Sequence, residues 1–241
     1  MKKSQTFRLL VFLSYTVGVA IGLYLIVVTA WADMESAFYG FSRLAESGLD
    51  GFSCPVVMNR DETRMVSLTV SNTMERALSP TVRVEISTPM LVDEYQETIE
   101  LAPGESKKLE WSIGPENIDL ERFIFAKALV FGTYPVPSRE TTCGIFILDL
   151  PVSGRVILPV LVVLSLLGMG WGLYELNKAA TSSVWLEKNV RPMIFLAGVV
   201  TLGIFVSFWS GWVPSALLLA VALLMIFILL GTFMMSERRR K

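Results

Sequence analysis

Hydrophobic positions in this chain follow two regimes. From Leu9 to Trp31, Val156 to Tyr174, Met193 to Trp209 and Ser215 to Met235 the sequence is apolar on every side and uncharged. Runs of roughly 20 such residues match a bilayer core of about 30 Å, so each predicts a transmembrane helix. Between the first and second runs the pattern changes to alternation. Val66, Leu68 and Val70 alternate with Ser67, Thr69 and Ser71. Val82, Val84 and Ile86 alternate with Arg83 and Glu85. Leu109, Trp111 and Ile113 alternate with Lys108, Glu110 and Ser112. Period two puts one face in a core and the other in solvent, the antiparallel pattern. Strands are predicted over Arg64–Asn72, Thr81–Ser87, Tyr95–Leu101, Lys107–Ile113, Arg122–Phe131 and Thr142–Leu150. Arg122–Phe131 is apolar on both faces except at Lys127, which predicts a central or covered strand. Ala102-Pro103-Gly104-Glu105 has the composition of a tight turn between two strands.

A third pattern links the two regimes. Met34, Ala37, Phe38, Phe41, Leu44, Ala45 and Leu49 recur at three- and four-residue steps, with Asp33, Glu35, Ser36, Arg43, Glu46 and Ser47 opposite. This predicts an amphipathic helix. It would lie in the membrane interface or pack against the strands, and Gly48, Gly51 and Ser53-Cys54-Pro55 would end it. The expected organisation is a tail and first span over 1–32, an interfacial helix and linker over 33–53, and strands over 54–152. Three further spans follow over 153–241, with a loop at 177–192 and a basic tail. The fold class is therefore a membrane protein of four transmembrane α-helices. An all-β immunoglobulin-like sandwich is inserted between its first and second helices.

Charge sets the orientation. The formal net charge is only −1, but the signs are segregated. Nearly all acids lie between Asp33 and Asp149. Lys2, Lys3, Arg8, Lys178, Lys188, Arg191, Arg238, Arg239, Arg240 and Lys241 lie outside that segment, opposed by Glu175, Glu187 and Glu237. The positive-inside rule then puts both termini in the cytoplasm and 33–154 outside. Ala30-Trp31-Ala32 has the small-x-small form of a signal cleavage site after Ala32. The apolar run before it exceeds the roughly 7–15 residues of a signal peptide, which favours an uncleaved span.

The candidate chemistry is sparse. There is no histidine, so the commonest general base and metal ligand are missing. No P-loop, nucleophile elbow or zincin motif occurs, and the spans carry no charge away from their ends. No catalytic residue, metal ligand or cofactor is expected. Asp61-Glu62 and Asp93-Glu94 read as solvated turns or, less simply, as calcium contacts without regular ligand spacing. Cys54 and Cys143 flank the strand region and fit one structural disulfide better than a zinc site, with free buried thiols as the alternative.

Two features point to partners. Ser14, Gly18 and Gly22 in the first span, and Gly168 and Gly172 in the second, are small residues at four-residue spacing, which lets helices approach closely. The stretch Gly132–Thr141 is stiffened by Pro135 and Pro137 and would display Tyr134, Arg139 and Glu140. Stiff loops lose little entropy on binding, and Tyr and Arg are frequent anchors. An ordinary rigid loop is the plainer reading. The expected partners are membrane lipid and other membrane or envelope proteins, or a second copy of this chain, with no nucleic acid.

A strand ending at Asn72, the Thr81-Val82-Arg83-Val84-Glu85-Ile86 strand, and Ile99-Glu100-Leu101-Ala102-Pro103-Gly104-Glu105-Ser106 leading into Leu109-Glu110-Trp111 carry a resemblance. Over about 60–132 this segment resembles the CARDB and NPCBM-associated immunoglobulin-like modules of prokaryotic surface proteins. It departs from them in its two flanking cysteines. The resemblance implies a bacterial or archaeal cell membrane and an adhesion or spacer module. The functional expectation is a non-enzymatic accessory or structural subunit whose outer domain binds a partner. A transporter or channel component is the alternative, and an enzyme on lipid or envelope polymer is a more distant third.

Overall fold

The structure is a computed structural model and describes residues 2–89, 91–132, 134, 137–179, 184–209 and 211–238. It divides into two compact units, Met1–Ala30 with Ile157–Lys241, and Trp31–Val156. Pro135 and the last basic residues, 239–241, lie outside the described residues.

The helical unit is built from α1 (Lys2–Phe38), α2 (Gly154–Ala179), α3 (Val184–Trp209) and α4 (Trp212–Arg238). Among the described residues, four stretches are long and apolar enough to cross a membrane: Leu9–Phe38, Gly154–Lys178, Asn189–Trp209 and Trp212–Met235. Only a helix satisfies every backbone group within such a stretch, which is why side chains apolar all round still give helices here. Tyr15, Ile26, Met169, Leu196, Val200 and Ile204 form its core. Because α3 starts at Val184, Pro192 sits inside the helix. Membrane helices tolerate the lost backbone bond through their neighbours.

The other unit is made of two sheets. Its strands are β1 (Glu46–Ser47), β2 (Phe52–Ser53), β3 (Val57–Asn59), β4 (Arg64–Ser71), β5 (Thr81–Thr88), β6 (Leu91–Thr98), β7 (Ser106–Ile113), β8 (Phe123–Phe131) and β9 (Arg139–Leu148). The larger sheet has the order β1-β9-β8-β5-β6, with β3 also pairing β9, and the smaller is β2-β4-β7. The alternating residues meet between the sheets: Val66, Leu68, Leu109 and Ile113 from one, Val82, Val84, Ile86, Ile124 and Ala126 from the other. The strand β8 is central, paired to β5 on one side and β9 on the other, as its two apolar faces require. The Ala102–Glu105 turn forms as expected. Gly104 takes φ +75°, and the Glu105 N–H donates to the Ala102 carbonyl at 3.0 Å. Buried Asn72 brackets this turn, its amide donating to the carbonyls of Leu101 (3.1 Å) and Ala102 (3.0 Å).

Two elements differ from the sequence expectation. The strand expected over Tyr95–Leu101 is β6 at Leu91–Thr98, while Ile99 and Leu101 are buried where the chain leaves it for the second sheet. The helix expected within 33–53 ends at Phe38. Gly40 follows, and the chain then runs over the outer face of the larger sheet. The Tyr39 ring packs on Phe125 (4.5 Å between centroids) and on Phe41 (4.8 Å). Docking on a sheet satisfied the apolar positions that a continued helix would otherwise have buried.

Candidate functional site

The outer face of β8 carries Phe123, Phe125 and Lys127, because Ile124, Ala126 and Ala128 are turned into the core. Aromatic side chains cover the first two. Trp31 meets Phe123 edge-on at 5.3 Å, and Phe146 meets Phe123 at 5.5 Å. The backbone of α1 comes close enough here that a Cβ on Gly144 of β9 would collide with the Ala32 carbonyl. Gly144 is not in the left-handed region, so the glycine is required by space and not by backbone conformation.

Lys127 needs counter-charge, since an isolated buried ammonium costs far more than it returns. Its side chain is 2% exposed. Glu85 stands directly opposite on β5 and lies 3.9 Å away. Glu140, diagonal on β9, lies 3.2 Å away. The ammonium also donates to the Ser42 carbonyl, and Glu140 accepts the Leu44 N–H at 3.0 Å. The segment 42–44 thus closes over two carboxylates and one ammonium, and every polar group in the cluster has a partner. The charges hold the covering segment to the sheet.

Two further carboxylates brace this unit. Asp119 accepts the Tyr39 hydroxyl at 2.6 Å. Burial, then that hydrogen bond and the Asp119 charge, push the Tyr39 phenol above its ordinary range. Asp119 opens a turn in which Leu120 (φ 46°) and Glu121 (φ 64°) are both left-handed. Glu62 accepts the N–H groups of Asn59 (3.1 Å) and Gly154 (2.8 Å) and the Ser153 hydroxyl (2.8 Å). Burial alone would raise its carboxyl, but these bonds, with Arg64 at 3.8 Å, outweigh it and hold the group below the usual carboxylate range.

The residues singled out from the sequence fall in different places. Cys54 and Cys143 are bonded to each other, with Cα atoms 6.6 Å apart. Tyr134 is 90% exposed, and its carbonyl is held by the Arg76 guanidinium. Pro137 and Arg139 are exposed, and Arg139 donates to the Gly48 carbonyl at 3.4 Å. Glu140 was expected on display and is instead buried in the Lys127 cluster, because β9 begins at Arg139 and turns residue 140 under the covering segment. Nothing but the lone lysine in an apolar strand signalled that cluster. The pairing with Glu85 and Glu140 depends on register.

In the helical unit the small residues meet. The Ser165 hydroxyl donates to the Gly18 carbonyl at 2.8 Å, and Ser14 to the Gly168 carbonyl at 3.3 Å. A Cβ on Gly18 would lie 2.6 Å from the Met169 nitrogen, and one on Gly172 would lie 2.6 Å from the Tyr15 Cβ. Gly22 serves a different neighbour, Val200 of α3, together with Ser165. A cavity of about 390 Å³ opens beside α1, lined by Phe12, Leu196, Ile226 and Phe233 among others. Its two hydroxyls are already used, Tyr15 donating to the Met193 carbonyl at 2.8 Å and Thr16 to the Leu13 carbonyl at 3.0 Å.

No protein-family model and no curated protein matches the chain. Several solved structures match part of it. A CARDB domain from Pyrococcus furiosus, solved in complex with di-metal ions, is 19% identical over 44% of this chain and 95% of its own, with a TM-score of 0.32. A cycloisomaltooligosaccharide glucanotransferase from Paenibacillus sp. is 15% identical over 43% of this chain, with a TM-score of 0.32. The β-glucuronidase of Bacteroides uniformis is 12% identical over 39%, with a TM-score of 0.30. The chain spans only 14% of the Paenibacillus enzyme and 12% of the glucuronidase. Likenesses at this level carry no argument about activity.

Proposed function

We propose that this is a non-enzymatic integral membrane protein, an accessory or structural subunit whose extracytoplasmic immunoglobulin-like sandwich binds a protein of the same membrane or envelope. The four apolar helices support a membrane anchor, and the bonded cysteines suit an oxidising outer compartment. The segregation of acids and bases supports cytoplasmic termini and an outer 33–154. The observation that carries the binding role is Tyr134. It is an almost fully exposed aromatic side chain in the β8–β9 connection, and the Arg76 guanidinium holds its backbone in place. An anchor held in this way loses little freedom on docking.

A photo-crosslinking amino acid at Tyr134, in native membranes, is expected to give one discrete adduct, identified by mass spectrometry as a membrane or envelope protein. A control at exposed Glu116 is expected to give none. Equal, diffuse labelling at both positions would remove the reading. A transporter or channel role is less well supported, since the cavity beside α1 offers hydrocarbon and two spent hydroxyls.

A further inference from the structure

Among the described residues the two sheets have four edges, and three are closed by devices known to stop strand addition. The edge beyond β9 is made of β1 and β3, two and three residues long, and the edge at β2 is two residues long. The edge at β7 carries Lys107 and Lys108. Short strands and lysines are common protections of an exposed edge. The fourth edge, β6, has neither, and its one guard is charge: Asp93, Glu94 and Glu97 act against acidic or uncharged strands but not against a basic one. It is eight residues long, all exposed, and holds no lysine, arginine or proline. Its pairing with β5 runs unbroken from Thr81↔Thr98 to Thr88↔Leu91, so no bulge twists it away.

We infer that β6 is an acceptor edge to which an extended polypeptide segment bearing lysine or arginine adds as a further strand. Pairing places Leu91, Asp93, Tyr95 and Glu97 on the same side as the core residues Val82, Val84 and Ile86. The smaller sheet does not cover this row: Leu91 is 73% and Tyr95 43% exposed. An added strand would gain main-chain bonds from the edge and apolar contact from Leu91 and Tyr95. The charges choose its chemistry. Asp93, Glu94 and Glu97 are the only charged side chains of β6. Glu94 is bonded to Arg83 at 3.1 Å and Glu97 to Lys107 at 3.3 Å, both on the surface, and among the described residues Asp93 has no ion pair. Exposed pairs are weak and exchange readily. A second copy of this edge would set acids against acids, which is destabilising, so self-pairing is disfavoured. A neutral strand would cover Asp93 without compensating it. A basic strand satisfies the edge and the charge together.

The inference rests on the binding role proposed above but uses a different surface from Tyr134, so the two can fail separately. The test uses the oxidised full chain in detergent and a fluorescent synthetic peptide alternating lysine with valine. The peptide should bind and weaken as salt rises. Two changes should each weaken it roughly tenfold or more: N-methylation of alternate peptide bonds, and the double substitution Asp93→Lys/Glu97→Lys. The double variant should in turn bind a glutamate–valine peptide. No binding of the lysine peptide, or equal binding of its N-methylated form, overturns strand addition. The peptide changes decide this even if the variant fails to fold. A Tyr134 adduct that persists alongside such a failure would leave the general binding role standing and sink this inference alone.

Discussion

Lys127 and Glu140 are 3.2 Å apart beneath a chain segment that bonds to both of them. The pair therefore acts as a fastener between the sheet and its cover. Lys127→Met would leave Glu85 and Glu140 buried without counter-charge, and removing one partner of such a group costs about 3–5 kcal/mol. The melting temperature of the β-sheet unit should fall by many degrees. The triple substitution Lys127→Met/Glu85→Gln/Glu140→Gln should recover much of the loss. If Lys127→Met melted with the parent, the cluster would not be holding the segment.

Gly144→Val tests the approach of α1 to β9. Its side chain would overlap the Ala32 carbonyl, so helix and strand must separate. Overpacking of this kind costs about 1–3 kcal/mol or more. Amide exchange should rise across residues 31–38 before it rises in β4 or β7. Uniform exchange in parent and variant would show that the contact is slack.

In the helical unit, Gly18→Leu and Gly170→Leu form a matched pair. A side chain at Gly18 meets the α2 backbone, whereas at Gly170 nothing lies within 4 Å. Lipid offers no hydrophobic drive for helix contact, so close backbone packing matters. Gly18→Leu should lower the aggregation temperature in detergent while Cys54 and Cys143 stay oxidised. Gly170→Leu should be silent. Equal effects from both would assign the loss to bulk alone.

Glu62 predicts an acid limb. Its folded-state carboxyl is held below the ordinary range, so its contribution is present above the unfolded value of roughly 4.3. That contribution is lost as pH falls through the folded value. The parent should melt higher than Glu62→Gln at neutral pH. The difference should shrink between about pH 5 and pH 3 as the carboxyl protonates. A difference unchanged by pH would mean that packing, and not ionisation, accounts for it.

The alternation in β4, β5 and β7 was legible because each has one wet face and one dry face. The strand β6 was not, since both its faces meet water and Ile99 and Leu101, just beyond it, carried the apolar signal. The Met34–Leu49 periodicity looked helical because Tyr39 and Phe41 bury against a sheet that the local pattern does not reveal. Lys127 stood out as the one charge in an apolar strand. Its partners could not be read, because Glu85 and Glu140 become neighbours only through register. The cysteine pair and the close approach of Gly18 and Gly168 were legible from residue type and spacing, which need no register.

The bridge between Cys54 and Cys143 spans 89 residues of sequence. Tension applied through α1 and α2 would enter near Trp31 and leave near Gly154, both outside the bridged segment. Once the contacts of Trp31, Tyr39 and Ser42 with β8 and of Gly154 with Glu62 have parted, the covalent link carries the load past everything between the cysteines, so β4 to β8, with the open edge at β6, come off the mechanical path. An oxidised molecule pulled between its flanking helices should lengthen only by the chain outside the bridge. Reduction should release the rest, making the bond a stop that lets the membrane strain without unravelling the two sheets.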